Sequence, residues 1–303
     1  MKGKLYLAVG SSVALVLAGG LVSGGAVHAA SDSRVMAVGS TALQPLATQA
    51  AEMFGEKHAG VNVVVQGGGS GAGLSQVGKG GVTIGNSDIF ASQKAGVDAK
   101  KLKDHKVAVV GIVPVVNEDI KVKSLTMNQL RDIFSGKITN WKDVGGQDEM
   151  IVLINRAQGS GTRFTFEREV MNGEDTKTAQ EQDDNGAVQK IVSKTPGAIS
   201  YLAFSYTSGP NAKGLRTLSI DKVSPTDKNV RSNKWQIWAY GHIYTAKKTD
   251  KNTKVYIKFV KSSAMKKTIK KLGYFPVSDM NVVRNADGDV KKSKLVNEII
   301  AVQ

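Results

Sequence analysis

The chain contains no cysteine, which excludes a disulfide scaffold, a thiol nucleophile, a cysteine metal site and lipid attachment through an N-terminal cysteine. Aromatic residues make up only 6% of it and are not interleaved with the lysines, so a dedicated nucleic-acid partner is not expected. There are four histidines. His28 belongs to an N-terminal targeting segment, leaving His58, His105 and His242 with no metal-binding spacing among them. No serine-hydrolase elbow is present either. Beyond the first residues, no stretch is long and apolar enough to span a bilayer.

What is present starts with that segment. Lys2 and Lys4 form a positive region, residues 5–22 are almost wholly apolar or small, and Val27, His28 and Ala29 fit a small-x-small cleavage site. This predicts a signal peptide over residues 1–29, with an uncleaved anchor as the alternative. In both cases the remaining ~270 residues are exported, to an extracellular or cell-surface location, and their length suits two domains with a large core. Without the two lysines of the signal, +13 of the formal +15 charge remains, which attracts anions. Lys261, Lys266, Lys267, Lys270 and Lys271 read as a solvated basic surface.

The pattern of the body alternates strands with helices. Residues 34–38 read as a strand, and Leu43, Leu46, Ala47, Ala50 and Phe54 recur at helical spacing. Residues 61–65 and 82–84 read as further strands, separated by glycine-rich backbone and a short helix near 74–77. Residues 107–116 form a long apolar run that contains Pro114 and fits a strand crossing from one domain to the next. Thr126 and Gln129 are placed as a capping box, with Leu130 and Ile133 inward and Gly136 as the stop. Residues 150–154, 197–202 and 242–245 complete the strands, the last returning the chain to the first domain. The expected architecture is an α/β sandwich with its ligand at the carboxyl edge of the strands and a hinge made by two crossings.

Three small-residue segments carry the chemistry: GSTAL at 39–43, GGGSG at 67–71 and RAQGSGT at 156–162. Each can turn N–H groups and hydroxyls toward one anion, and a tetrahedral oxyanion needs donors from several directions. Thr41 sits where a helix cap would sit, and the N–H groups of Ala42 and Leu43 lie at the same helix start. The glycines at 67–69 permit close backbone approach, and Ser70 adds a hydroxyl. Arg156 ends a strand and can fork onto oxygens. Ser160, Thr162 and the N–H groups of Gly161 and Thr162 open a helix containing Phe164, Phe166 and Val170. A carboxylate at Asp88 would repel an anion unless that anion carries a proton, in which case it accepts the O–H and rejects ligands lacking one. The plain alternative for Asp88 is a helix cap before Ile89. The string GLSQVGKG at 73–80 has Gly80 where a nucleotide-binding loop needs Ser or Thr, so it is a chance near miss.

This combination resembles the phosphate-binding proteins of bacterial high-affinity phosphate ABC transporters. The resemblance runs from Arg34 to Phe275 and rests on AVGSTALQPL, QGGGSGAG, IGNSD, LRDIFSGKITNWKDVGG, NRAQGSGTRFTF and PGAISYLAFSY, met in that order. It implies a two-lobed type II periplasmic-binding-protein fold with two hinge crossings, lobe 1 at residues 30–113 and 245–303 and lobe 2 at 114–244. It also implies a non-enzymatic receptor, a monomer without cofactor, that closes over inorganic phosphate and delivers it to the membrane permease. By the same resemblance, Thr41, Ala42 and Ser70 are donors and Asp88 takes the phosphate proton, while Arg156, Ser160, Gly161 and Thr162 serve from the second lobe. Gln158 and Ser200 depart from the pattern, where some relatives have an acidic residue and often a glycine. The other readings are a secreted phosphatase or phosphotransferase with Ser160 or Thr162 as nucleophile, and a basic cell-wall adhesion protein.

Overall fold

The computed structural model describes residues 34–209 and 212–293, so the signal predicted over residues 1–29 lies outside the described residues. The chain opens with β1 (Arg34–Gly39), α1 (Gln44–Gly55), β2 (Asn62–Gly68), α2 (Gly69–Gly78) and β3 (Ile84–Ser87). α1 buries Leu46, Ala47, Ala50 and Phe54, the stripe its spacing predicts, and has a proline in its first turn, where no N–H is missed. The glycine run is divided in two by the fold. β2 extends through Gly68, and α2 begins at Gly69, five residues earlier than apolar spacing alone indicates. A glycine is needed at position 73, because a Cβ there would stand 2.6 Å from the Val38 carbonyl oxygen and 2.7 Å from that of Asn86. α2 thus presses its backbone onto β1 and β3.

β4 (Leu102–Asn117) is buried almost continuously from Val107 onward, as expected of a strand covered on both faces. After β5 (Ser124–Leu125) comes α3 (Met127–Ser135), which has the expected capping box between Thr126 and Gln129 and Gly136 in the left-handed region at φ 83°. β6 (Val152–Arg156) lies two residues later than predicted and leads to α4 (Gly161–Phe166). Next are β7 (Gln180–Gln182), α5 (Asn185–Val192), β8 (Ala198–Ala203), β9 (Leu215–Thr217), β10 (Ser219–Ile220), α6 (Asp227–Arg231) and β11 (Trp238–Ala246). α7 (Lys251–Val260), α8 (Met265–Lys271), β12 (Val282–Arg284) and β13 (Val290–Lys292) complete the described chain.

The main sheet has the order β2-β1-β3-β11-β4-β8-β6-β7, with β9 paired to β4. β1 is parallel to β2 and β3, and β6 is parallel to β7 and β8. The antiparallel pair β11 and β4 joins these two parallel blocks. Both long strands feed two apolar clusters. Val107, Ala108 and Val110 of β4, with Ile243 of β11, pack around Phe54 and Tyr256. Val113, Val115 and Val116, with Trp238 and Tyr240, pack around Phe134, Trp141 and Tyr201. The parallel blocks turn the carboxyl ends of β1, β3 and β6 toward one another; the three small-residue segments stand at the ends of β1, β2 and β6, and Asp88 follows the end of β3.

Candidate functional site

The first segment leaves β1 through a close crossing of β3, where the Ser40 N–H donates to the Asn86 carbonyl at 2.9 Å. Ser40, not Thr41, is the hydroxyl that steadies the start of α1: its Oγ accepts the Leu43 N–H at 3.1 Å. The same Oγ donates to Asp88 Oδ1 at 2.5 Å. Thr41 is thereby released from capping. Its Oγ1 accepts from Asn185 Nδ2 at 3.0 Å, the Asn185 N–H at 3.3 Å and Arg156 Nη2 at 3.4 Å. Tyr206 donates its hydroxyl to the Thr41 carbonyl at 2.8 Å, and Tyr274 donates to the Ala42 carbonyl at 2.6 Å.

The second and third segments meet directly. The Gly71 N–H donates to the Gly159 carbonyl at 3.0 Å. A Cβ on Gly161 would fall 2.3 Å from Ser70 Oγ and 2.9 Å from the Asp88 Cβ, so only glycine allows this approach. Ser70 Oγ accepts the Asp88 N–H at 2.9 Å, and Ser160 Oγ accepts the Arg163 N–H at 3.2 Å while capping α4. Thr41, Ser70 and Ser160 therefore share a pattern. Each hydroxyl oxygen already accepts from a nitrogen, which leaves its own proton to be donated. Thr162 is buried in the first turn of α4.

Arg156 is 1% exposed. Its Nε donates to the Gln182 carbonyl at 3.2 Å and its Nη2 to the Asp183 carbonyl at 2.9 Å, while Nη1 is buried without a partner. Among the described residues no carboxylate oxygen stands within ion-pair distance of it. Burial pulls its pKa down, against the pull of Tyr201, Asp88 and Asp184. Nearby Arg163 is different, since Glu167 at 2.6 Å and Glu181 at 2.5 Å neutralise it. Arg163 serves as a brace, donating to the Arg156 carbonyl at 2.7 Å.

Asp88 completes the set. Burial pushes its carboxyl up to about 6, against the lowering effects of Ser40, Arg156 and Ser70. Ile89 is not helical and the next short helix, Ala91–Gln93, is preceded by Phe90, so Asp88 caps no helix. All eight residues expected from the sequence, Thr41, Ala42, Ser70, Asp88, Arg156, Ser160, Gly161 and Thr162, are buried in this one region. Sequence reasoning missed Ser40, Asn185, Tyr206 and Tyr274, which hold the others in place. Gln158 is exposed, and Ser200 lies fully buried in β8 with its hydroxyl unpartnered. Among the described residues, no three His, Cys, Asp or Glu side chains are grouped to hold a metal.

The arrangement can hold a compact oxyanion. A buried guanidinium with a free N–H and no carboxylate partner demands a negative ligand, because an unpaired buried charge is costly. Residues 25–264 match the model of the PBP superfamily domain. The chain is 47% identical over 251 residues to the phosphate-binding protein PstS of Bacillus subtilis strain 168, covering 82% of this chain and 83% of that one. A substrate-binding chain from Clostridium perfringens, assigned to a phosphate ABC transporter and solved with bound phosphate, superposes with a TM-score of 0.74 at 29% identity. It covers 80% of this chain and 99% of the other. The ABC-type phosphate transport receptor of Vibrio cholerae gives 0.63 at 29% identity over the same shares.

Proposed function

The chain belongs to the PBP superfamily and, within it, to the PstS phosphate-binding proteins, and from that membership we propose how its own residues capture phosphate. It is the substrate-binding component of a phosphate ABC importer and not an enzyme. The observation that carries the reading is Arg156, buried, held by two carbonyls and left with both N–H donors of Nη1 unpartnered, in a region with three proton-donating hydroxyls.

In this reading Arg156 Nη1 binds one phosphate oxygen through a charge-assisted bond. The hydroxyls of Thr41, Ser70, Ser160 and Thr162 and the N–H groups of Ala42, Gly161 and Thr162 surround the others. Asp88 accepts the proton that hydrogen phosphate retains near neutral pH and sulfate lacks. Phosphate therefore gains a hydrogen bond where sulfate meets an unanswered carboxylate.

Lobe 1, residues 30–113 and 245–303, supplies the first two segments and Asp88, and lobe 2, residues 114–244, supplies Arg156 to Thr162. The two boundaries fall within β4 and β11, the strands whose residues divide between the two apolar clusters. One ligand bonded to both lobes favours the closed state only because the open state forfeits half of the contacts. The receptor works as a monomer outside the cytoplasmic membrane and hands phosphate to the permease, with no dedicated nucleic-acid partner.

A phosphatase would need a base on its nucleophile. Ser160 Oγ instead accepts the Arg163 N–H. Calorimetry of metal-free protein should show one phosphate per chain and weaker sulfate binding, and scattering should show compaction with phosphate. Equal affinity for both anions would overturn the role of Asp88. Binding without compaction would overturn closure.

A further inference from the structure

A second concentration of positive charge lies away from the anion site. The first residues of β4, the end of β11 and α7 enclose cavities of about 790 and 640 Å³ that share Asp104, Lys261 and Ser262. Lys103, Lys247, Lys254, Lys258 and Lys261 line the smaller one. Among the described residues, none of these five lysines is in an ion pair. The nearby acids are committed elsewhere. Asp104 accepts from His242 Nδ1 at 2.7 Å, and Asp279 is taken by Lys266 at 2.7 Å and Lys270 at 2.9 Å.

Other observations mark this groove as more than a solvated face. Ser262 Oγ, at the junction of the cavities, is shielded from solvent and has no hydrogen-bond partner. His105, also in the lining, has its pKa lowered first by burial and then by Lys261 and Lys103, with Asp104 acting in the opposite sense. The floor of the larger cavity is apolar, formed by Val107, Val260 and Ile269.

We propose that this groove binds a linear polyol-phosphate polymer, a chain of phosphodiesters linked by short sugar-alcohol units. Lysine ammonium groups are point charges suited to a run of singly charged phosphodiesters, whereas a bidentate guanidinium fork suits a terminal phosphate. No Phe, Tyr or Trp lines either cavity and His105 is the one ring in the lining, so a run of stacking platforms for successive nucleobases is missing. Two joined concavities fit a chain and not a flat bilayer, and an apolar floor receives polyol carbons better than it receives inorganic polyphosphate. Such binding would hold a receptor without a lipid-attachment cysteine within an anionic envelope.

The test uses the protein saturated with inorganic phosphate, which keeps the cleft occupied, and a fluorescent glycerol-phosphate oligomer as probe. Binding is expected to weaken as salt rises. Replacing Lys103, Lys258 and Lys261 together by Gln should reduce affinity about tenfold or more and flatten the salt dependence. Replacing Lys121, Lys123 and Lys228 removes the same charge elsewhere and should change affinity less than about twofold. Phosphate affinity should be unchanged in both variants, which also reports that they fold. Absence of oligomer binding by the unaltered protein, or equal losses in the two triple variants, would overturn the proposal. Tighter binding of inorganic polyphosphate, single-stranded DNA or anionic vesicles would overturn it as well.

Discussion

Arg156 and the exposed lysines of α8 carry the same sign of charge in opposite physical settings. Arg156 is buried, fixed by the carbonyls of Gln182 and Asp183, and shares its surroundings with a carboxyl. Lys267 and Lys271 are exposed on a helix, where water and salt screen them. Net charge therefore locates neither the anion site nor its strength. One cation placed out of water, with its hydrogen bonds prearranged, outweighs many in water, because nothing has to be reordered when the ligand arrives.

The sharpest way to break this comparison is to remove one charge from each setting. Arg156→Ala should weaken phosphate binding by about 2–5 kcal/mol, since the ligand loses its buried cationic partner and Asp88 loses a nearby positive charge. Lys267→Ala should change it by less than about 0.5 kcal/mol. Calorimetry at fixed ionic strength reads both, and similar small changes would mean that the guanidinium does not bind the anion.

A second substitution sharpens the comparison without touching charge. Gly161→Ala places a Cβ 2.3 Å from Ser70 Oγ, so the third segment must retreat from the second. Overpacking of this kind costs about 2 kcal/mol, and here it should fall on phosphate affinity while the unfolding temperature of the ligand-free protein moves little. Gly55→Ala, where a Cβ meets nothing within 4 Å, is the control. Equal phosphate affinity in both variants would show that the close approach at Gly161 is not needed for binding.

The same contrast governs what was legible in the sequence. The capping box of Thr126 and Gln129 and the stop at Gly136 could be read because each is settled within one or two turns. The three anion segments could be read because glycines and hydroxyls cluster within a few positions. The extension of α2 back to Gly69 was hidden, since glycine has poor helix propensity and only contact with β1 and β3 makes the helix favourable there. The holding shell was hidden too. Asn185 reaches Thr41 across 144 positions, Tyr206 across 165, and Tyr274 reaches Ala42 across 232. Nothing local to a tyrosine announces a carbonyl that distant. Ser40 was overlooked for another reason: it and Thr41 are equally plausible caps in one dimension, and only the position of Asp88 assigns them different work.

Asp88 tests whether the buried setting selects as well as binds. In Asp88→Asn the acceptor for the phosphate proton is exchanged for an amide, which can also donate. The ratio of phosphate to sulfate affinity should fall about tenfold, or about 1.4 kcal/mol. An unchanged ratio would leave the carboxylate without a part in discrimination.

The smallest effect is expected in the ligand-free protein. Burial raises the folded Asp88 carboxyl to about 6, above its value of roughly 4 in the unfolded chain. A raised folded pKa means that its contribution to stability is fully present below the unfolded value and is lost as pH rises through about 6. Between pH 5 and pH 7.5 Asp88 should therefore cost about 1 kcal/mol of stability. His242, buried with its pKa lowered, acts in the opposite sense, losing stability as pH falls through the ordinary histidine range. The measurement must accordingly be a difference. Denaturant unfolding of the unaltered protein and of Asp88→Asn, both without phosphate, cancels the histidine contribution and leaves the carboxyl alone. The stability gained by the Asn variant should grow from pH 5 to pH 7.5. A gain that stays flat would mean that Asp88 titrates like a solvated carboxylate and that its pocket is wetter than its burial implies.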